Sequence, residues 1–188
     1  ITPATDVLHE LSKHKSLGVI TVQCEDEISG CATAIGASFA GALAVTTTSG
    51  PGVCLKSEAM NLAVITELPL VVLNVQRGGP STGLPTKSEQ TDLLQALFGR
   101  NGESPMPVIA ATSPTNCFDA AYAACKMALE HMTPVVLLTD GFVANGSGSW
   151  KLPNLDTYPE IKPQYVTPEM KDNYTPYKRN PENQVRYW

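Results

Sequence analysis

Short apolar segments rich in β-branched residues alternate along this chain with segments in which apolar positions recur at helical spacing. The apolar segments are nearly continuous and have the length of strands, which is typical of strands buried on both faces of a sheet. They lie at 18–22, 43–46, 70–75, 108–111 and 135–138. The helical segments lie at 27–41, 55–66, 88–98 and 115–131. The alternation predicts an α/β fold: a doubly wound, mostly parallel sheet with helices on both faces.

The alternation ends after Asp140. Beyond it the chain loses periodicity and gathers tyrosine, asparagine, charged residues and prolines, the last at positions 153, 159, 163, 168, 176 and 181. We therefore predict an α/β domain over residues 1–145 and an extended Pro-rich arm over 146–188, which wraps a neighbour or links to a further, C-terminal domain. The first residues, Ile1-Thr2-Pro3, lack an initiator Met and a signal-peptide pattern, so we expect the domain to be truncated at its N-terminus.

Length, charge and cysteine content limit the classes of function. With 188 residues, the chain is long enough for one well-buried domain. Its net charge of -5 argues against binding to nucleic acid or to an anionic membrane. No apolar run approaches the roughly 20 residues that cross a bilayer. The cysteines are scattered, without CxxC pairs or nearby histidines, which argues against a metal site and favours buried, reduced thiols in a cytoplasmic protein.

An acidic triplet, Glu25-Asp26-Glu27, ends the first apolar segment and begins a helical one. Carboxyl ends of parallel strands are where α/β sheets build their ligand sites. We expect Glu25 and Asp26 near the strand end and Glu27 in the first turn of the helix. Two interpretations stay open, because a carboxylate at a helix N-terminus either caps the helix or faces a ligand.

A turn rich in hydroxyl groups and glycine, 46–52, follows the second apolar segment. It resembles a phosphate-binding loop only superficially, because Leu55 stands where that loop requires glycine before Lys-Ser. Ser49 is not part of a nucleophile elbow either. The hydroxyls of this turn either cap the next helix or, with the backbone amides of Thr48, Ser49 and Gly50, line a ligand surface.

A glycine-rich loop, 76–87, follows the third apolar segment and carries two cations, Arg77 and Lys87, and several hydroxyl groups. The planar guanidinium of arginine matches a carboxylate in bidentate fashion. The length, composition and position of the loop favour a role in ligand binding over a surface loop in which Arg77 pairs with a neighbouring acid.

Taken together, these motifs resemble the 2-oxoacid:ferredoxin oxidoreductases, in particular the subunit with the domain that holds the pyrimidine end of thiamine diphosphate. The resemblance covers essentially the whole chain and is most specific in the Arg77 loop; the segments that carry it are 1–3, 25–27, 48–52, 75–87, 88–96 and 140–147. With Ser-Gly-Pro-Gly at 49–52 and Gly-Leu-Pro-Thr-Lys at 83–87, the chain looks most like the α subunit of the 2-oxoglutarate enzyme. Members usually carry a segment before Ile-Thr-Pro and more residues near 14–17.

The resemblance implies roles for particular residues. Glu27 matches the catalytic glutamate that contacts N1′ of the aminopyrimidine and activates the cofactor, and the turn at Thr48, Ser49 and Gly50 belongs to the same cofactor site. Residues that would bind the substrate are Thr2, Arg77 and Thr86. Lys87 is a candidate partner for a second substrate carboxylate, although a solvated lysine at a helix start is an equal alternative.

The implied activity is the oxidative decarboxylation of 2-oxoglutarate to succinyl-CoA with reduction of ferredoxin. Thr139-Asp140-Gly141 is the nearest match to the Gly-Asp-Gly segment of diphosphate sites, and no cysteine set for an iron–sulfur cluster is present. We therefore expect no metal in this chain, and a β subunit that supplies Mg²⁺, diphosphate binding and a [4Fe-4S] cluster. Alternatives are the same chemistry on pyruvate or a branched-chain 2-oxoacid, or a non-catalytic assembly module.

Overall fold

The core of the fold is a sheet of four parallel strands in the order β1-β2-β4-β3. The structure is a computed structural model and describes residues 1–188. The strands are β1, Ala44–Thr48; β2, Leu70–Gln76; β3, Val108–Ala110; and β4, Pro134–Asp140. Along β2 and β4 every residue but one is buried, which explains their unbroken apolar sequence.

Seven α-helices connect or flank the strands. They are α1, Thr5–Leu11; α2, Glu27–Phe39; α3, Gly50–Leu55; α4, Ser57–Ile65; α5, Leu93–Phe98; α6, Cys117–His131; and α7, Gly141–Asn145. Short 3-10 turns lie at Lys15–Leu17, Pro114–Asn116, Leu155–Thr157 and Pro168–Asn173. No helix is both long and apolar enough to span a membrane.

Both faces of the sheet are covered, as predicted. Because side chains alternate along a strand, neighbouring residues such as Leu70 and Val71 enter different cores. Leu70 packs into a larger cluster with α2 and α4, whereas Val71 packs against the alanine-rich face of α6. The parallel, doubly wound α/β architecture is therefore confirmed.

Three of the predicted elements differ in the structure. Residues 18–22 form no strand, and Ile20 and Val22 are 88% and 56% exposed, because this segment pairs with no strand of the sheet. The predicted helix 55–66 is two helices, since α3 already begins at Gly50 and the break falls at Lys56. The predicted helix 88–98 begins only at Leu93.

The segment after α7, which the sequence predicts to be an arm over 146–188, has no regular strand or α-helix. It lies against the α/β domain at both ends. Tyr158 packs edge-on to Phe118 and Tyr122 of α6. At its far end, the indole nitrogen of Trp188 donates to the Ser38 carbonyl at 2.9 Å, and Arg179 pairs with Glu67.

Candidate active site

Most of the predicted site residues lie at one edge of the sheet, where the strands end at their carboxyl termini. Thr48, the last residue of β1, is in register with Asn74 of β2, and Gln76 at the end of β2 is in register with Asp140 of β4. Glu27 reaches the same edge from the first turn of α2. The fold therefore brings together side chains that are far apart in sequence, as parallel sheets do at their ligand sites.

Asp26, not Glu27, caps helix α2. The Asp26 carboxylate accepts a hydrogen bond from the Ser29 amide at 2.7 Å, and the Ser29 hydroxyl is 3.2 Å from the Asp26 amide, which completes a capping box. These hydrogen bonds lower the pKa of Asp26. Glu27, as the next residue, is half-buried and is not needed as a cap. The capping interpretation of the triplet thus applies to Asp26 and leaves Glu27 available for another role.

Gly52 leaves the room that the Glu27 side chain occupies. A Cβ at Gly52 would lie 2.7 Å from Cγ of Glu27 and 2.0 Å from Oγ1 of Thr48. Both distances are far below a van der Waals contact, so only glycine is accommodated here without movement. The β1–α3 turn and the start of α2 therefore meet at Gly52, and Glu27 lies beside the buried hydroxyl of Thr48.

Ser49 stands at the N-cap position of α3, yet its side chain caps nothing. Its hydroxyl is buried and has no hydrogen-bond partner. Buried polar groups are nearly always paired, so this hydroxyl leaves an unused hydrogen-bonding group at the edge of the sheet. The interpretation in which the hydroxyl of Ser49 serves as a helix cap is wrong.

Next to Ser49, the Asp92 carboxylate lies over Gly50, where a Cβ would come within 2.7 Å of one carboxylate oxygen. Asn74 donates to that carboxylate at 2.9 Å, and the Asp92 amide donates to the side-chain oxygen of Gln76 at 2.9 Å. The amide oxygen of Asn74 is buried and unpaired, as is the hydroxyl of Ser49. Residues just before α5 are thus tied to the sheet edge, which explains why this helix begins late.

Arg77 is buried and contacts two main-chain carbonyls. Nη1 donates to the Thr2 carbonyl at 2.8 Å, and Nη2 donates to the Thr82 carbonyl at 2.7 Å. The third nitrogen of the guanidinium, Nε, is buried without a hydrogen-bond partner. Arg77 forms no ion pair with an acid, so the interpretation of a surface loop that neutralises its arginine is wrong.

The loop that follows Arg77 closes on itself. The Gly78 amide donates to the Lys87 carbonyl, and the Leu84 amide donates to the Gly78 carbonyl, each at 2.8 Å. Gly83 has a positive φ of 53°, and a Cβ there would lie 1.9 Å from the Gly78 carbonyl oxygen, so this position requires glycine. The closed loop holds Lys87 and its neighbours next to the N-terminal segment.

Thr2, Thr86 and Lys87 line one cavity of about 500 Å³, together with Asp6 and residues of α7. No hydrophobic side chain takes part in its lining, and Thr86 and Lys87 are exposed. Arg77 does not line this cavity itself, but its guanidinium holds the main-chain carbonyl of Thr2, which does. The structure thus brings Thr2 and Thr86 to one cavity, with Arg77 bonded to Thr2. The lining carries one negative and one positive side chain, Asp6 and Lys87.

Asp140 does not resemble a free diphosphate or metal ligand. One carboxylate oxygen accepts from the amides of Phe142 and Val143 and so caps α7, and the other accepts from Gln90 at 2.6 Å. No cluster of His, Cys, Asp and Glu side chains could hold a metal ion. All cysteines are free, but only Cys31 is buried. The expectation of buried thiols is wrong at Cys54, which is exposed, and the other three cysteines are partly exposed.

One residue near the site was not predicted to take part in it. Lys56 is 1% exposed, and its ammonium donates to Oγ1 of Thr46 at 2.8 Å. Burial lowers its pKa, whereas the carboxylate of Glu27 acts in the opposite direction. A lysine after a glycine-rich turn carries no sequence signal for burial, and the resemblance to a phosphate-binding loop pointed to a different role.

The chain matches a known protein family over almost its whole length. The family model described as pyruvate flavodoxin/ferredoxin oxidoreductase, thiamine diP-binding, matches residues 1–187. The chain belongs to this family. The thiamine diphosphate-binding α/β domain expected from the sequence is thereby confirmed, as is the relationship to the α subunits of 2-oxoacid oxidoreductases.

Relatives within the pyruvate flavodoxin/ferredoxin oxidoreductase family are similar over most of the chain. The 2-oxoglutarate oxidoreductase subunit KorA of Mycobacterium tuberculosis is 57% identical over 99% of this chain and 28% of its own length. The 2-oxoglutarate synthase subunit KorA of Archaeoglobus fulgidus is 42% identical over 82% of this chain and 45% of its own length. The chain thus spans between about a quarter and a half of the curated relatives that it matches.

A solved structure supports the same assignment. The 2-oxoglutarate:ferredoxin oxidoreductase from Magnetococcus marinus, with 2-oxoglutarate, coenzyme A and succinyl-CoA bound, superposes with a TM-score of 0.89 and 35% identity. The match covers 100% of this chain and 33% of that one. Residues 1–188, including the arm, are therefore similar to part of an enzyme of this family.

Proposed function

We propose that this chain is the pyrimidine-binding domain of the α subunit of a 2-oxoglutarate:ferredoxin oxidoreductase. The complete enzyme would convert 2-oxoglutarate, coenzyme A and oxidised ferredoxin to succinyl-CoA, carbon dioxide and reduced ferredoxin. The observation that carries the proposal is the meeting of Glu27 and Thr48 at Gly52, in a turn that also holds the unpaired hydroxyl of Ser49. The chain is 57% identical to a KorA subunit.

The residues at the sheet edge fit thiamine diphosphate. Its ring system, when bound, supplies an electron sink for decarboxylation of a 2-oxoacid. Glu27 would meet the aminopyrimidine and hold or release a proton at N1′, a role that needs a carboxyl group. The turn at Thr48, Ser49 and Gly50 would line the ring, and the unpaired buried hydroxyl of Ser49 supports this assignment.

We propose that Thr2, Arg77 and Thr86 hold the 2-oxoacid. Thr2 and Thr86 line the polar cavity, and Arg77 holds Thr2 through its main-chain carbonyl. Arg77 is buried and would act on the substrate by holding Thr2 in place. Lys87, in the same cavity, would favour a substrate with a second carboxylate, such as 2-oxoglutarate, over pyruvate or a branched-chain 2-oxoacid.

The remaining parts of the reaction require a partner. The carboxylate of Asp140 is already engaged in capping α7, and the chain has no cluster of metal ligands. We propose that a β subunit supplies diphosphate binding, Mg²⁺ and a [4Fe-4S] cluster and that ferredoxin accepts the electrons. The free cysteines support a cytoplasmic location.

Two experiments test this proposal against its alternatives. In the complex with its β subunit, kcat/KM for carbon dioxide release should be at least about tenfold higher for 2-oxoglutarate than for pyruvate or a branched-chain 2-oxoacid. The reverse order would assign the pyruvate or branched-chain alternative. Calorimetry should detect thiamine diphosphate binding by the complex. Binding by neither the chain nor the complex would leave the non-catalytic assembly module as the function.

A further inference from the structure

Lys56 is an unusual residue for the interior of this domain. Its side chain is 1% exposed and is the largest of the fully buried side chains, and it lies among members of the larger apolar cluster such as Cys31 and Met60. The one hydrogen-bond partner of its ammonium is the neutral hydroxyl of Thr46. Natural cores rarely hold an ammonium without a carboxylate in contact, and such groups concentrate at functional sites.

The backbone directs Lys56 towards Glu27. The Lys56 amide donates to the Gly52 carbonyl at 3.1 Å, so the two residues lie one helical turn apart on the same face of α3. Side chains on a helix lean towards its N-terminus. The Lys56 side chain therefore leans towards Gly52, the position whose missing side chain leaves room for Glu27 and Thr48.

The partner of Lys56 supports the same placement. Thr46 and Thr48 are two residues apart on β1, so both hydroxyls point to the face covered by α2. Thr48, the last residue of β1, lies beside Glu27 at Gly52. Thr46, two residues before it on the same face, holds the ammonium of Lys56. Glu27 and Lys56 thus enter the same crevice between α2 and β1 from its two ends.

Few other charged groups act on this crevice. Helix α2 contributes Cys31 and Glu27. Burial raises the pKa of the Cys31 thiol, which is therefore uncharged at neutral pH, whereas the carboxylate of Glu27 favours the protonated form of Lys56. Strand β1 contributes only the neutral hydroxyls of Thr46 and Thr48. Asp92 packs over Gly50 but is already bonded to Asn74. Glu27 is therefore the carboxylate in a position to respond to the buried ammonium.

We propose that Lys56 is a positioning residue that acts through Glu27: its buried ammonium favours the carboxylate form of Glu27 and so eases release of the Glu27 proton towards a bound aminopyrimidine. The inference rests on the proposed function, because it assumes that Glu27 meets this ring. It assigns a role to a residue that touches neither substrate nor cofactor. Thr46 holds the ammonium in place, and Gly52 keeps the path between the two charges open.

The test measures thiamine diphosphate affinity by calorimetry, with excess Mg²⁺, as a function of pH in the complex with the β subunit. Without the ammonium, the proton that Glu27 shares with the ligand is retained to higher pH. In Lys56→Met, the alkaline limb of the affinity profile should therefore move up by about one pH unit. Lys56→Gln removes the charge but keeps a hydrogen-bond donor for Thr46, and it should move the limb equally.

Two controls separate charge from structure. Lys162→Met removes one exposed positive charge from the arm and should leave the profile unchanged. In a Glu27→Gln background, Lys56→Met should no longer move the profile, because the group through which Lys56 acts is absent. Calorimetric proton uptake, measured in two buffers of different ionisation enthalpy, should follow the same pattern without reference to turnover.

The outcomes distinguish this inference from the proposed function. A profile of Lys56→Gln equal to that of the unsubstituted complex, or a shift that persists with Glu27→Gln, would overturn the role of Lys56. If Lys56→Met fails to assemble, Lys56→Gln alone still decides the matter. If Glu27→Gln itself leaves both affinity and proton uptake unchanged, the proposed function fails instead.

Discussion

The guanidinium of Arg77, at the end of β2, holds the main-chain carbonyl of Thr2 at 2.8 Å and so ties the first residues of the chain to the edge of the sheet. Its second donor holds the Thr82 carbonyl in the loop that follows. One buried side chain therefore positions both segments that line the polar cavity. The two hydrogen bonds need the planar fork of an arginine, which a lysine cannot reproduce.

Arg77→Lys should therefore impair substrate binding specifically. With hydrogen bonds of this kind worth about 1.5–3 kcal/mol each, loss of one should raise KM for 2-oxoglutarate by about tenfold or more. Steady-state kinetics of the assembled complex measures this change. Arg100→Lys is the matched control, because Arg100 also holds main-chain carbonyls, at the end of α5. An equal rise in KM for both variants would contradict the assigned role of Arg77.

Gly52→Ala should displace Glu27. The new Cβ would stand 2.7 Å from Cγ of Glu27 and 2.0 Å from Oγ1 of Thr48, so one of them has to move. We expect thiamine diphosphate affinity to fall by at least about tenfold and the free energy of unfolding to fall by about 1–3 kcal/mol. Gly36→Ala is the control, since a Cβ there meets nothing within 4 Å. Because Gly36 lies in the interior of α2, Gly36→Ala should stabilise the chain by about 0.5–1 kcal/mol without a change in thiamine diphosphate affinity.

Ser49→Ala distinguishes a helix cap from a ligand contact. Because the Ser49 hydroxyl is buried and unpaired, its removal should leave the free energy of unfolding within about 0.5 kcal/mol of the original, whereas loss of a true cap costs about 1 kcal/mol. Thiamine diphosphate affinity should fall by about fivefold, the equivalent of one hydrogen bond. Ser113→Ala removes a hydroxyl that accepts from the Asn116 amide and should show the opposite pattern.

The stability of the chain should depend on pH through Lys56. Burial lowers the pKa of Lys56 below its ordinary value of 10.5, so the folded state loses the proton of Lys56 at a lower pH than the unfolded state. Between the two values the unfolded state binds more protons, and stability rises with pH. Lys56→Met should therefore be more stable than the original chain at neutral pH, with a difference that shrinks as the pH approaches 10.5. Urea unfolding at several pH values measures this; a constant difference would contradict it.

The sequence predicted the fold well where local pattern and tertiary packing agree. The buried strands β2 and β4 carry unbroken apolar runs, and α6 carries a regular alanine face, so each was recognisable. The run at 18–22 has the same composition but stays exposed, because strand pairing depends on neighbours that sequence pattern does not specify. The late start of α5 depends on hydrogen bonds to Gln76 and Asp140, which are distant in sequence.

The site was predictable in part. The positions of Ser49 and Arg77 after β1 and β2 follow from the alternation of strands and helices, since a parallel sheet gathers its carboxyl ends at one edge. Glu27 reaches that edge from α2, after a segment that forms no strand. The sequence did not predict the hydrogen bonds that these residues make. Whether Asp26 or Glu27 caps α2, and whether Arg77 meets a carboxylate or a carbonyl, is decided by three-dimensional neighbours. Burial of Lys56 has no local signal at all.

The most direct test of the account is the decarboxylation rate of Glu27→Gln in the complex with the β subunit, with 2-oxoglutarate as substrate. Glutamine keeps the size of the side chain but cannot exchange the proton, so the rate should fall by about 100-fold or more while the complex still assembles. Glu25→Gln, an exposed neighbour in the same triplet, should keep its activity. Undiminished decarboxylation by Glu27→Gln would contradict the central claim that this carboxyl group activates the cofactor.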